Sequence, residues 1–286
     1  MVSANITAVL SSYITALHIL HNRGVLDGYG HISVRNPANS SNFFMMHQLA
    51  PALVSRRNDI GEYRVSDAEP VDSSIPAGPM ERFIHNELLK QYPDVNVVLH
   101  GHPSALVSYG ISHVPLRAVN HMTPFLGTNV PVFDITKHYL PNDKQDFLVR
   151  NQRQGAALAD QFGSSTRQDY SSVDETATGS SRYPSHNLVL MRSHGFTAVA
   201  KDIKVVTFEG VYAVVNAEIQ SEALKLHQAY AGMNYGAGKD GLTYLNEGQV
   251  QDSWETEIEL VGKTWDLWER EVKLNPLYVN ELDSGK

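Results

Sequence analysis

Two histidines one residue apart close an apolar run, Val97-Val98-Leu99-His100-Gly101-His102, and a third closes another, Leu188-Val189-Leu190-Met191-Arg192-Ser193-His194. In a β-strand, residues i and i+2 project to the same face. His100 and His102 are thus expected to aim two imidazoles at one point just past a strand end. A second strand end alongside would add His194. Three neutral nitrogen donors with one open position is the arrangement of a catalytic divalent-metal site. A His-x-His pair can also be no more than a solvated turn, and spacing alone leaves both readings open.

Bulk composition narrows the classes. The chain has 286 residues, 42% of them hydrophobic, and a formal net charge of −8 from 23 Lys and Arg against 31 Asp and Glu. No basic run offers the footprint that nucleic acid requires. There are no cysteines, which excludes disulfides, zinc–thiolate sites and thiol nucleophiles. No apolar stretch approaches the roughly 18–20 residues of a membrane span, and the first residues lack the pattern of a secretory signal. The expectation is a cytoplasmic protein with a small-molecule substrate, no nucleic acid and no membrane.

The elements that would position the histidines follow from periodicity. Helical spacing runs over residues 3–23 and stops near Gly24. Gly28-Tyr29-Gly30 turns into a strand at 31–35, and 43–46 reads as a second. Residues 55–72 are polar and read as loops and edge strands. Pro79 opens a helical run to Tyr92, a strand follows at 95–99, a short helix at 103–109 and a strand at 130–135. Helical spacing covers 143–162. Residues 164–184 are rich in Ser and Thr and read as a mobile loop. Strands at 188–191 and 196–199 precede a helix from 202 to 231, a glycine-rich break at 232–241 and a last helix around 247–272. The division expected is a catalytic domain over 1–232 and a helical C-terminal extension over 233–286.

These pieces, in this order, resemble the class II aldolase/adducin family, in its decarboxylase-like branch. The residues that carry the likeness are GHISVRNP at 30–37, GPMERFIHNELLKQYPDVNVVLHGHPSA at 78–105, PLRAVNHMTPFLGTNVPVFDI at 115–135 and NLVLMRSHGFTAVAKDIKVVTFEGVYAVVNAEIQSEAL at 187–224. The resemblance implies an α/β/α sandwich with a central, mostly antiparallel sheet. It makes His100, His102 and His194 the metal ligands, and Glu81 an acid/base and a fourth ligand of the resting site. Zinc leads among the metals, with iron, manganese, cobalt and nickel also suited to imidazole. It implies a homotetramer.

The departures point to the substrate. Where sugar-phosphate aldolases of the family hold phosphate with small residues, hydroxyls and backbone amides, this chain has Gly30-His31, Leu49-Ala50-Pro51 and Pro79-Met80. Proline has no N–H and methionine no donor, so the phosphate subsite is read as lost. Met45, Met46, Leu49, Pro51, Met80 and Phe125 are expected to wall an apolar pocket. Arg35 and His47 are expected to contact substrate, and His31 or His121 to orient it or supply a proton. Arg35 also reads as a surface ion pair, and His18 and His21 as helix-surface histidines. The reading is a metal-dependent carbon–carbon lyase on an unphosphorylated hydroxylated aromatic or keto acid, decarboxylation ahead of retro-aldol cleavage. Its rivals are an aldolase on a non-phosphorylated hydroxy-carbonyl compound, a mononuclear iron oxygenase and a non-catalytic adducin-like module.

Overall fold

Alternation along one strand, β1 (His31–Arg35), divides the molecule into layers. Ile32 and Val34 enter one apolar cluster, while His31 and Ser33 face the other side. The computed structural model describes residues 5–163, 183–231 and 241–283. β1 lies in a seven-stranded sheet with β2 (Asn42–Met46), β3 (Ile60–Arg64), β4 (Val97–Gly101), β5 (Val132–Phe133), β6 (Leu188–Met191) and β7 (Gly195–Ala200). The order is β3-β2-β1-β4-β7-β6-β5, and all neighbours are antiparallel except β5 and β6. Helices cover both faces, so the architecture is the expected α/β/α sandwich.

On one face lie α1 (Ile6–Asn22), α3 (Ser104–Ser112), α5 (Ile203–Ala231) and α6 (Glu247–Leu274). They pack with Ile32, Phe44, Leu99, Leu190 and Phe196 of the sheet. On the other lie α2 (Arg82–Gln91) and α4 (Gln152–Ala159), whose Ile84, Leu88, Leu89 and Leu158 meet Phe43, Met45, Val98 and Val189. α1 starts where Asn5 accepts the Ala8 N–H at 3.2 Å and ends at Gly24, whose φ of +69° suits glycine. In α6, Trp254, Val261, Trp265, Trp268 and Val272 recur at helical spacing and enter the same cluster as the sheet. The segment expected to be an extension thus contributes to the main core. Among the described residues no helix is long and apolar enough to cross a membrane.

Several boundaries differ from the periodicity reading. The helix expected over 143–162 begins only at Gln152, where Asn151 caps it by accepting the Gln154 N–H. Upstream, Phe147 has a φ of +66°, which no α-helix accommodates. The run expected from Pro79 turns at Gly78 and becomes helical at Arg82. The strand expected at 95–99 lies at 97–101, which puts His100 inside the ladder rather than past its end. His18, expected on a helix surface, is buried and donates from Nε2 to the Val54 carbonyl at 2.9 Å. Burial pushes its pKa down to about 4. The loop expected at 164–184 falls outside the described residues except for Tyr183 and Pro184, and the glycine-rich break at 232–241 does so except for Gly241.

Glu209 of α5 is fully buried. One oxygen accepts from Asn187 Nδ2 at 2.7 Å and the other has no partner. Burial outweighs that hydrogen bond and pushes the carboxyl up to about 8 from its ordinary 4.5. Between those values the folded chain holds a proton that the unfolded chain has released, so stability falls as pH rises across the interval. Glu209→Gln keeps the bond from Asn187 and removes the ionisation. Urea midpoints at pH 5 and pH 8 are expected to fall further in the wild type than in the variant. Equal falls would contradict the assignment.

Candidate metal centre

His100 sits in β4 opposite His31 of β1 and Thr197 of β7. His102 follows the end of β4, and His194 lies in the turn from β6 to β7. Antiparallel pairing brings that turn beside His102. The approach requires Gly195, since a Cβ there would lie 2.1 Å from the Gly101 carbonyl oxygen. Glu81 arrives from the opposite layer, at the position just before α2. Its side chain caps no helical N–H. One oxygen accepts the Val149 N–H at 2.9 Å, and the other lies 3.5 Å from His100 Nε2 and 3.3 Å from His194 Nε2. One donor atom from each of Glu81, His100, His102 and His194 falls within 4.8 Å of all the others.

The hydrogen bonds assign the protons. His100 Nδ1 lies 2.9 Å from the Phe196 carbonyl oxygen, which only accepts, so Nδ1 carries the hydrogen. His102 Nδ1 lies 3.3 Å from both oxygens of Asp27. Burial opposes ionisation of Asp27, but the N–H groups of Tyr29 and Gly30 and the His102 ring together lower its pKa. His102 therefore donates from Nδ1 as well. In neutral rings both Nε2 atoms are then bare lone pairs, and they face each other at 2.9 Å. Two lone pairs at that distance repel unless a positive charge lies with them. Burial pushes His100 down to about 4 despite the neighbouring carboxylate, so a proton is poorly held there. Burial raises the Glu81 carboxyl, but its contacts with the His100 and His194 rings outweigh that and hold it well below the usual carboxylate range. His194 Nδ1 is buried without a partner. Neutral imidazoles with a carboxylate, two of the rings oriented by outer acceptors, fit a divalent cation.

The other sequence candidates divide. His31 is buried against the cluster, its ring centroid 5.0 Å from that of His100. Its Nδ1 lies 2.8 Å from Nε2 of His85, whose Nδ1 lies 2.7 Å from Ser33 Oγ. Burial pushes His85 down to about 3 and His31 well below its ordinary range. The sequence reading missed His85. Its signal was the spacing of four residues from Glu81, which puts both on one helical face. His47 follows β2 in the register row of His31 and is bonded through Nδ1 to Tyr63 Oη at 3.1 Å. Met80 is 49% exposed beside Glu81.

Four expectations are corrected. Arg35 ends β1 four residues, about 13 Å, from His31. Its guanidinium is consumed by the Ser40, Leu89 and Val95 carbonyls, so it is neither a substrate contact nor a surface ion pair. Phe125 is core, packed edge-on to Phe208 on the face away from the cluster. His121 is exposed on that same side, 3.7 Å from Glu257 of α6, and does not reach the cluster within the chain. The pocket expected from Met45 and Met46 fails for a simple reason. Adjacent strand residues face opposite ways, and each lies in a different core.

Comparison with known proteins is consistent with this geometry. Residues 12–221 match the family described as Class II Aldolase and Adducin N-terminal domain. The chain is 43% identical over 270 residues to Decarboxylase tropJ of Talaromyces stipitatus, covering 94% of this chain and 96% of that protein. It is 25% identical over 205 residues to a 3,4-dihydroxyphthalate decarboxylase of Arthrobacter keyseri, covering 68% and 71%. Its fold superposes on an aldolase II superfamily protein of Pseudomonas syringae with a TM-score of 0.66 at 16% identity, covering 97% and 96% of the two chains.

Replacing His100, His102 or His194 by Ala is expected to abolish stoichiometric metal on elemental analysis, with the thermal transition retained. Asp27→Asn, which weakens the orientation of His102, is expected to lower metal affinity about 10–100-fold. Full metal occupancy in the three Ala variants would contradict the assignment.

Proposed function

The chain belongs to the class II aldolase and adducin family and is a metal-dependent lyase, and from that premise we propose that it decarboxylates an unphosphorylated acid, either a hydroxylated aromatic or a β-keto acid. The observation that carries this is the likeness, across nearly the whole chain, to a decarboxylase. The likeness to the phthalate decarboxylase supports an aromatic ring. The lip beside Glu81 also supports it, since Pro79 offers no N–H and Met80 no hydroxyl to a phosphate.

A divalent ion held by His100, His102 and His194, zinc first among the candidates, would supply positive charge beside the oxygen that gathers electrons as carbon dioxide leaves. Glu81 is placed to move the proton. Val149 N–H holds one of its oxygens, and the other faces the imidazoles. As a carboxylate it takes the proton of a substrate hydroxyl and returns it to the carbon that has lost carbon dioxide. The carbon–carbon bond breaks, its electron pair stays with the organic fragment, and the proton neutralises that pair. His31 faces the same space and His47 continues its row, which makes them our candidates for orienting the acid. We also infer a homo-oligomer, supported by Ile219, Leu226 and Tyr230, left exposed along the second half of α5. Light scattering is expected to give a multiple of 31.7 kDa; a monomer mass would overturn this.

Purified, metal-loaded protein should be offered hydroxylated aromatic and β-keto acids while carbon dioxide, aldehyde and oxygen are followed together. Carbon dioxide without oxygen uptake is expected. Glu81→Gln is expected to keep metal and lose roughly 10²–10⁴-fold in turnover. Aldehyde release would favour the aldolase reading and obligate oxygen uptake the oxygenase reading. Cleavage of a sugar phosphate at a kcat/KM of about 10⁴ M⁻¹s⁻¹ or more would overturn the substrate class.

A further inference from the structure

Behind the metal cluster runs a buried file of three side chains, Ser33, His85 and His31, that supplies no metal ligand. Ser33 Oγ lies 2.7 Å from His85 Nδ1, and His85 Nε2 lies 2.8 Å from His31 Nδ1. Ser33 and His85 are completely buried and His31 is 3% exposed. The file crosses from the sheet to α2 and back, and its open end is His31 Nε2. That atom has no hydrogen-bond partner among the described residues, yet it is not among the fully enclosed unpartnered atoms. The atom is thus not fully enclosed, and its ring lies beside that of His100, centroid to centroid 5.0 Å.

The file has a direction. A buried hydroxyl must spend its hydrogen on an acceptor or lose the hydrogen bond it had in water. Ser33 Oγ has no acceptor other than His85 Nδ1 among the described residues. Ser33 therefore donates, and His85 accepts at Nδ1. His85 then carries its hydrogen on Nε2 and donates it to His31 Nδ1. An imidazole that accepts at Nδ1 bears its hydrogen on Nε2. His31 thus turns an N–H toward the site, the reverse of His100, whose Nδ1–H is fixed by the Phe196 carbonyl.

We propose that Ser33 and His85 are positioning residues that lock His31 as a hydrogen-bond donor to the substrate, by fixing its hydrogen on Nε2. The hydrogen-bond partners of these rings divide neighbouring imidazoles into two kinds. His100 and His102 present lone pairs to a cation, and His31 presents an N–H to an anionic oxygen of the acid. Donation at that point suits a substrate carboxylate or the oxygen that gains charge as the carbon–carbon bond breaks. It also keeps His31 from competing for the metal. The role given to the substrate rests on the decarboxylase reading, but the placement of the hydrogens does not.

Neutron diffraction from crystals of the deuterated, metal-loaded protein tests the placement directly. Deuterium is expected on Ser33 Oγ toward His85, on His85 Nε2 and on His31 Nε2. Deuterium on His31 Nδ1, alone or with a second on Nε2, overturns the proposal. The kinetic arm uses Ser33→Ala and Ser33→Thr. Ser33→Ala releases the tautomer lock and is expected to lower kcat roughly tenfold, short of the ~10²–10³ lost with an oxyanion donor itself. Its metal content should be unchanged. Ser33→Thr restores the hydroxyl and most of kcat. Equal kcat values for Ala, Thr and wild type overturn the positioning role. A wild type that releases carbon dioxide from no acid would sink the decarboxylase reading, and the hydrogen map would still decide this one. The map is taken on the unaltered protein, so it decides even where Ser33→Ala does not fold.

Discussion

Two ring nitrogens, His100 Nε2 and His102 Nε2, face each other at 2.9 Å, and in neutral rings that carry their hydrogens on Nδ1 both present lone pairs. The Phe196 carbonyl takes one ring's hydrogen and the Asp27 carboxylate the other's. Much of the surrounding structure holds this repulsive arrangement in place. The ladder from β4 to β7 brings the Phe196 carbonyl to His100, and the turn after Leu26 aims Asp27 at His102. Glu81 adds a carboxylate from the other layer, tethered by Val149 N–H so that only one oxygen is turned to the rings. A site of neutral donors and one anion around a small gap is complementary to a cation.

The sandwich explains how such a site stays rigid. His100 lies within the sheet, flanked by β1 and β7, and cannot move without breaking both ladders. α2 delivers Glu81 at its start and His85 one turn later, so one helix serves both the carboxylate and the file behind His31. Burial keeps these imidazoles neutral, which a metal ligand and a neutral hydrogen-bond donor both require. Aldolase and decarboxylase chemistry differ at this site chiefly in which carbon–carbon bond lies beside the charge. In the function proposed above, the lip at Pro79 and Met80, rather than the imidazoles, selects the substrate class.

Much of this was legible in the chain. His100 and His102 share a face because strand alternation demands it, and the apolar runs before them and before His194 marked the strands. The order of motifs carried the fold and singled out Glu81. What was not legible depended on contacts distant in sequence. Arg35 resembled a site residue because its type is polar, and only the fold shows its guanidinium surrounded by carbonyls from Ser40, Leu89 and Val95. Phe125 and Met46 have pocket-like chemistry but face the wrong core. His85 was hidden because its partners, Ser33 and His31, lie more than 50 residues away. The start of α4 was obscured because the apolar spacing over 143–162 ran through Phe147, whose left-handed backbone no periodicity reveals.

An anomalous difference map, recorded at the absorption edge of whatever metal purifies with the protein, tests the central claim most directly. One strong peak is expected within about 2.0–2.2 Å of nitrogens from His100, His102 and His194. The two facing Nε2 atoms, 2.9 Å apart here, are expected to open to about 3.3 Å, the separation of two tetrahedral ligands at such bond lengths. A stoichiometric metal bound elsewhere, or a metal-saturated crystal with no peak among these three rings, would contradict it.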